Sequence, residues 1–305
     1  MVDVDALLPV GDELPETLLD LAIPHEDINE LIALARRVER DPELRVFVER
    51  SVRELVCDIG VVVGAREIPP VPEGLGDAGR LLPVVVLLAA LPFTRAYHRE
   101  RGVPAGVTRR TLADLGRHMA LHRRRYGNAG LVKAHWFSLH FRGEIYQLGR
   151  LQFQRARLWR RTGEALSAAG LPMGEGDPCL SIHVPDFRGP LTPQACDASL
   201  ALAREFFARH YPDESYRVAV CDSWLLDAQL GKYLPEDSNI LCFQRRFRTS
   251  FQDTEAYDRV PVGFVFGDPD LPVETLLQRT PVERAVASHL LTGGHWYCGH
   301  GWLEL

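Results

Sequence analysis

The spacing of the hydrophobic residues changes once along the chain, near Tyr126, and this change limits the folds available to it. Before that point apolar residues recur at helical spacing, as in HEDINELIALARRVER, where Ile28 and Ile32 fall on one face. Beyond it, apolar and polar residues alternate in short runs that are typical of strands. We therefore predict an α+β protein, with a helical domain over residues 1–130 and a domain of strands and helices over residues 131–305.

The second domain is predicted to follow the order β-β-β-α-β-α-β-β-α-β. Its first two strands form a hairpin in HWFSLHFRGEIYQLGRLQF, with the turn at Arg142-Gly143. A strand CLSIHV and a helix from Pro193 follow, then a strand YRVAVCDSWLL and a short helix DAQLGKYL. A second strand pair is predicted in NILCFQRRFRTSF and VPVGFVFG, before a helix PVERAVASHLL and a last strand HWYCGHGWLEL.

Charge and cysteine content exclude several classes of protein. The net charge of −6 argues against a nucleic-acid partner, which needs a concentrated excess of Lys and Arg. The six cysteines are scattered with no CxxC, which indicates a reduced, cytoplasmic protein. The opening MVDVDALL does not resemble a secretory signal, and the apolar segment LLPVVVLLAALPF is too short to span a bilayer. We therefore expect no membrane partner and a buried segment here.

The stretch SIHVPDFRGPLTPQA reads as a strand, a loop and the start of a helix, and it carries the first candidate site. Thr192 is a good N-cap and Pro193 suits the first helical position, so the free N–H groups of that turn can bind an anion. Gly189 lets the preceding loop approach a ligand closely. His183 ends the strand, and the ordinary pKa of a histidine suits a general base. An inert strand-to-helix connection and a packed histidine remain the alternatives.

A second candidate site lies at the end of the strand in CDSWLLDAQLGKYL. Asp222 and Ser223 interrupt the apolar strand, and Trp224 follows immediately. Strand ends beside a helix start are where open sheets bind ligands. The alternative is a plain turn in which Asp227 caps the short helix.

Three further arrangements of reactive residues have weaker patterns. His118 and His122 have the i, i+4 spacing of a metal pair, but no third ligand accompanies them. His295, Cys298 and His300 are close enough in sequence to be metal ligands. In an alternating strand, however, Cys298 and His300 face one side and His295 the other, so a shared metal would need a bulge. No GxSxG motif supports a Ser-His-Asp triad. The residues of such a triad would be Ser223, His183 and Asp222. From the two histidine patterns we expect no metal.

Together these stretches resemble the GNAT superfamily of N-acyltransferases, in the bacterial branch that joins a helical N-terminal domain to a GNAT-like C-terminal domain. The resemblance is carried by LHFRGEIYQLGRLQFQR, LSIHVPDFRGPLTPQACDASLALAREFFARHYP, CDSWLLDAQLGKYLPEDSNILCFQRRF and TLLQRTPVERAVASHLLTGGHW. The members that the chain resembles attach long acyl chains to the aminosugar of glycopeptide antibiotics. The implied fold is a helical domain followed by a mixed β-sheet flanked by helices, and the implied activity is acyl transfer from acyl-CoA to a primary amine.

The resemblance also implies a splay between the strands of His183 and Asp222, and roles for particular residues. His183 is the expected general base, Tyr233 the acid that protonates the departing thiolate, and Asp222 a group that orients His183 or holds the acceptor ammonium. The thioester carbonyl would meet backbone N–H groups near Val184. The expected cofactor-binding residues are Val184, Gly189, Leu191, Thr192, Pro193, Gln194 and Ala195. The expected acceptor-binding residues are Phe187, Ser223 and Trp224, whereas Trp136 is expected to pack in the core.

One departure from the superfamily pattern leaves the donor open. The usual pyrophosphate loop Q/R-x-x-G-x-G/A is replaced by DFRGPLTPQA, which has a single glycine. Either coenzyme A or an acyl carrier protein is therefore a possible acyl donor. The same departure is the main support for an alternative reading, a non-catalytic acyl-CoA-binding or regulatory protein. A zinc-dependent hydrolase that uses the C-terminal His and Cys residues is the third reading.

Overall fold

The computed structural model of the protein describes Leu8, residues 13–186 and residues 188–305. The chain divides into two compact units, Met1–Tyr146 and Gln147–Leu305. This division falls later than the boundary at residue 130 that the sequence suggests, because the segment after Gly130 packs into the core of the first unit through Phe137 and Phe141. A functional domain boundary at residue 130 remains a proposal.

The first unit consists of helices, as predicted from its apolar spacing. The predicted helix HEDINELIALARRVER is confirmed as α2, and it buries Leu31, Leu34 and Val38. Asp41 caps α3, since its side chain accepts hydrogen bonds from the amides of the next turn. The helices are α1 (Glu13–Asp20), α2 (His25–Arg40), α3 (Pro42–Val56), α4 (Leu82–Glu100), α5 (Ala105–Leu112), α6 (Asp114–Tyr126) and α7 (Trp136–Phe141).

Helix α4 forms the centre of this unit. Its residues from Val84 to Ala90 are fully buried, so the apolar segment noted in the sequence is a core helix. Among the described residues, Gly76–Glu100 is long and apolar enough to cross a membrane by length and composition, and 56% of its most apolar window is buried within the protein. Burial in a helical core accounts for that composition.

The hairpin predicted with its turn at Arg142-Gly143 is wrong. Trp136–Phe141 is the helix α7, and Phe137 and Phe141 are both fully buried four residues apart, which is helical spacing. The hairpin begins later, with strands β1 (Ile145–Leu148) and β2 (Leu151–Arg157). Gly149, with φ of 70°, opens the turn between them.

A six-stranded mixed sheet, in the order β1-β2-β3-β4-β6-β5, organises the second unit. Strands β3 and β4 pair in parallel, whereas β2–β3, β4–β6 and β5–β6 are antiparallel pairs. Thr192 caps the long helix α9, which packs on β2. The remaining strands and the α-helices are α8 (Arg160–Ala168), β3 (Pro178–His183), α9 (Pro193–His210), β4 (Val218–Ser223), α10 (Asn239–Gln244), β5 (Arg248–Gln252), α11 (Arg259–Phe266), α12 (Pro281–Leu291) and β6 (Gly299–Glu304).

The second predicted strand pair is also wrong, because only its middle section is a strand. Ser238 caps α10, and its side chain accepts a hydrogen bond from the amide of Leu241. The run VPVGFVF forms α11, which ends at Gly267 in the left-handed conformation with φ of 89°. Glycine at that position is the usual helix terminator, and its signal outweighs the strand propensity of the valines.

Candidate active site

The centre of the sheet opens where β3 and β4 end. Their parallel pairing joins only Leu180 with Ala219 and Ser181 with Val220. Farther along, His183 stays paired with β2 on one side, and Asp222 stays paired with β6 on the other. Each strand therefore follows its outer neighbour, and a gap opens between their carboxyl ends. This is the splay that the family resemblance implies.

One face of the sheet changes from apolar to polar toward this gap. Helix α8 contributes Leu166 to an apolar cluster at the far end of the face, together with Cys179, Val220 and Trp302. Side chains on one face alternate along a strand and match across an antiparallel pair. The positions that continue this face toward the gap are polar: Gln152, Gln154, Ser181, His183, Asp222 and His300. The strand ends thus present a set of polar groups rather than a continuous core.

His183 lies at the last position of β3 and is half-buried. Its Nε2 is 2.9 Å from the Oε1 of Gln154 on β2. His183 thus lies at the strand end where the family resemblance expects the general base.

Asp222 is paired with His300 in this structure, and its expected role in orienting His183 stays a prediction. Its Oδ1 accepts a hydrogen bond from the Nδ1 of His300 at 2.7 Å, and the other ring nitrogen of His300 lies 3.1 Å from the Oδ2 of Asp253. Asp222 and His300 are directly opposite each other on β4 and β6. The sequence could not show this pairing, because the two residues are far apart along the chain.

His300 is held in its charged form. Burial opposes that form, but the hydrogen bonds with Asp222, Cys298 and Asp253 outweigh burial and raise the pKa of His300 to about 10. The ring also stacks on Phe251, with centroids 4.0 Å apart, and the guanidinium carbon of Arg161 lies 3.7 Å from the centroid of Phe251. These contacts tie α8, β4, β5 and β6 together beside the gap.

The raised pKa of His300 predicts a loss of stability at alkaline pH. Because the pKa of His300 in the folded protein lies above the ordinary value near 6.5, its contribution is complete below that value and is lost as pH rises through about 10. We expect the free energy of unfolding of His300→Gln to decline less than that of the wild type over this range. Urea unfolding at a series of pH values tests this; parallel declines in the two proteins would contradict it.

Tyr233, the expected acid, is bonded elsewhere in this structure. Its hydroxyl lies 2.9 Å from the Nδ1 of His289 on α12, and the Nε2 of that histidine lies 3.1 Å from the carbonyl oxygen of His295. Among the described residues no hydrogen bond joins Tyr233 to His183 or Asp222. The side chain of Tyr233 is 36% exposed, so its hydroxyl group remains near solvent.

The three residues expected to bind the acceptor have different surroundings. Trp224 is 6% exposed and belongs to an apolar core with Leu230 and Trp296, so its side chain is a packing residue here. Ser223 caps the short 3₁₀ turn that follows β4, since its Oγ accepts a hydrogen bond from the amide of Leu225. Phe187 lies outside the described residues.

The loop between β3 and α9 is braced by an arginine from the β1–β2 turn. The guanidinium of Arg150 donates to the carbonyl oxygens of Gly189 at 2.8 Å and of Pro185 at 2.9 Å. Gly189 has φ of 79°, which favours glycine, and a Cβ there would meet open space. The single glycine of this loop is therefore used for the turn that leads into α9.

The first turn of α9 has backbone N–H groups of the kind that bind anions in other proteins. The Oγ1 of Thr192 accepts from the amide of Ala195 at 3.2 Å, and the neighbouring N–H of Gln194 has no acceptor within the helix. Arg246 donates to the carbonyl oxygen of Pro193 at 2.9 Å and pairs with Asp197. Leu191 is buried under this turn, Val184 is half-buried, and Gln194 is exposed.

The pKa of the Cys196 thiol is affected by two positive charges near this turn. Burial raises the pKa of its thiol, and Arg246 and Arg150 both oppose that rise, so both guanidinium groups lie near the first turn of α9. The positive end of the helix dipole lies at the same turn, where Asp197 offsets part of the charge of Arg246. The sequence analysis identified the helix start and missed both arginines, because they come from other elements.

Two of the histidines that the sequence suggested as metal ligands are hydrogen-bonded to other groups. His122 bonds the carbonyl oxygen of Asn128 at 3.1 Å, and His295 bonds Asp258 at 2.7 Å. Within the described residues, the ligand atoms of Asp253, Cys298 and His300 lie within 4.8 Å of one another. In this arrangement both ring nitrogens of His300 are already within hydrogen-bond distance of Asp222 and Asp253.

Family models cover nearly the whole chain. Residues 12–143 match the N-acyltransferase N-terminal domain, and residues 145–303 match the GNAT-like C-terminal domain. The chain belongs to this family of N-acyltransferases. Its fold is accordingly a helical N-terminal domain followed by a GNAT-like mixed sheet, as expected, and it is an acyltransferase enzyme. The non-catalytic reading is not favoured.

Solved structures of acyltransferases are similar over almost the full length. One is a complex with decanoyl-CoA and teicoplanin, one a complex with decanoyl-CoA alone, and one a complex with CoA and 10C-teicoplanin. Each is 38% identical to this N-acyltransferase, with a TM-score of 0.87, and the match covers 99% of this chain and 93% of the other. No curated protein matches the chain.

Proposed function

We propose that this N-acyltransferase moves an acyl group from acyl-CoA to a primary amine on the aminosugar of a glycopeptide antibiotic. The observation that carries the proposal is the gap between the ends of β3 and β4: His183 ends β3, and the loop after it leads directly into the capped first turn of α9. The similar acyltransferases were solved with acyl-CoA and with teicoplanin, which supports the same classes of donor and acceptor here.

The donor would bind along the loop and helix that follow β3. The pyrophosphate would lie at the turn from Gly189 to Ala195, where backbone N–H groups and two arginines supply positive charge. The thioester would then enter the gap between β3 and β4. Backbone N–H groups near Val184 would stabilise the negative charge that forms on the carbonyl oxygen.

The acceptor amine must lose a proton to form the amide. His183 would accept that proton as the amine nitrogen bonds to the thioester carbon, and the C–S bond would then break to release coenzyme A. Tyr233 would protonate the thiolate, for which its hydroxyl must exchange its present bond to His289 for one to sulfur. Asp222 and Asp253 carry more negative charge than His300 offsets, so they would attract the acceptor ammonium.

We also propose a cellular setting for the enzyme, supported by its composition. All six cysteines are free thiols in this structure, which agrees with a reducing, cytoplasmic location. The net charge of −6 agrees with a small-molecule acceptor rather than a nucleic acid. We propose that the enzyme works without a nucleic-acid or membrane partner.

Incubation of the purified enzyme with acyl-CoA and a glycopeptide that carries a free aminosugar is expected to give one amide per sugar. Mass spectrometry would show the acyl mass added, and thiol release would equal product formed. A matched glycopeptide with an acetylated aminosugar should be inert, because its nitrogen cannot attack. Release of thiol without amide, or transfer from an acyl carrier protein and not from acyl-CoA, would contradict the proposal.

A further inference from the structure

Strand β2 places two glutamines on the same face of the sheet as His183. Gln152 is directly opposite His183 in the antiparallel register, and Gln154 is two residues farther along β2, opposite Ser181. All four residues face the same side of the sheet, because directly opposed residues share a face. Gln152 is 2% exposed, and the Oε1 of Gln154 lies 2.9 Å from the Nε2 of His183.

We propose that Gln154 is a positioning residue that fixes the tautomer of His183, so that Nδ1 is the nitrogen that takes the proton of the acceptor. This inference rests on the proposed role of His183. An amide oxygen can only accept, so its partner Nε2 must carry the hydrogen. A neutral imidazole carries one N–H, and its lone pair is then on Nδ1.

The proton transfer balances with this tautomer. As the acceptor nitrogen bonds to the thioester carbon, its proton moves to Nδ1, and the ring becomes an imidazolium that still donates Nε2–H to Gln154. The C–S bond then breaks, the thiolate takes the hydroxyl proton of Tyr233 to leave as free coenzyme A, and the imidazolium then gives up its proton to solvent, from which Tyr233 regains one. Gln154 thus stabilises the same ring orientation before and after the transfer, without itself gaining or losing a proton.

Because Gln154 is neutral, it does not favour the protonated form of His183 before the acceptor transfers its proton. A carboxylate at the position of Gln154 would favour the imidazolium and raise the pKa of His183, as the carboxylates around His300 do for that residue. The described charged groups on the elements next to His183 include Asp222 and His300 on β4 and β6, Asp186 and Arg188 in the following loop, and Arg150 at the β1–β2 turn, which donates to Pro185. A glutamine on β2 adds no further charge to this set.

The test compares two variants of Gln154 with the full-length enzyme. In Gln154→Glu, which has nearly the same shape, the acidic limb of the profile of kcat/KM against pH is expected to move to higher pH by about one unit or more. In Gln154→Met, which removes the acceptor, kcat is expected to fall roughly tenfold while KM for acyl-CoA stays the same. Gln278→Glu, an exposed substitution far along the sequence, adds the same charge and should leave the profile unchanged.

The tautomer itself can be measured in the resting enzyme. ¹⁵N spectra of histidine-labelled protein, with the His183 signals assigned by their loss in His183→Gln, should show a protonated Nε2 and an unprotonated Nδ1. The opposite pattern, or a Gln154→Glu profile that coincides with the wild type, would overturn the positioning role. If His183→Gln instead keeps normal turnover, the proposed base itself fails, so the two ideas fail separately.

Discussion

Replacement of His183 by glutamine is expected to lower kcat by about a hundredfold to ten-thousandfold, which is the usual effect of losing a general base. Glutamine keeps most of the size of the side chain and can still hydrogen-bond, but it cannot take a proton near neutral pH. KM for acyl-CoA should change little, because the loop and helix that would bind the phosphates remain intact. Steady-state kinetics with a glycopeptide acceptor, from about pH 5.5 to about 9, would measure both effects.

The pH profile separates a base from a packing residue. The wild-type rate should fall as pH drops through the pKa of an imidazole, whose ordinary value is about 6.5, and the variant should lose that inflection. A stable His183→Gln protein with near-normal turnover would rule out the base, as would a lower melting temperature with unchanged specific activity. Asp222 would then be the next candidate, although it is already paired with His300.

The elements that the sequence predicted correctly are those with strong local signals. Helix α2 follows from the spacing of its apolar residues, and α9 from the cap Thr192 and Pro193 at its start. Segments with a weaker pattern were misassigned. In Trp136–Phe141, six residues alternate well enough for a strand, yet Phe137 and Phe141 fill the core of the first unit as a helix. Tertiary packing decided the outcome there.

The sequence predicted only those parts of the candidate site that lie within one continuous segment. His183, Gly189 and Thr192 lie in one short stretch, so their relation to a helix start could be read directly. The partners of these residues come from elsewhere: Gln154 from β2, His300 from the last strand and Arg246 from the segment before β5. Strand order and register set those contacts, and one sequence does not encode them in any local pattern.

The arginine at the first turn of α9 makes the second large prediction. Arg246→Met is expected to raise KM for acyl-CoA about tenfold to a hundredfold with kcat nearly unchanged, because hydrogen bonds and charge toward a phosphate are typically worth about 1.5–3 kcal/mol. The guanidinium lies at this turn through its bond to the carbonyl oxygen of Pro193. The phosphates are expected to be bound equally tightly before and during acyl transfer. Loss of the Arg246 contact should therefore raise KM and leave kcat nearly unchanged.

Two control variants distinguish charge at this turn from general damage. Asp197→Asn removes the partner of Arg246 but keeps its positive charge, so KM for acyl-CoA should stay level or fall. Arg209→Met removes an exposed arginine from the other end of the same helix, where the dipole is negative, and should not affect KM. The three KM values should also differ less at high salt, because screening weakens the attraction that Arg246 supplies. If Arg246→Met left KM unchanged while Arg209→Met raised it, the pyrophosphate could not lie at the first turn of α9. The positive charge that binds the donor would then lie at the opposite end of the helix.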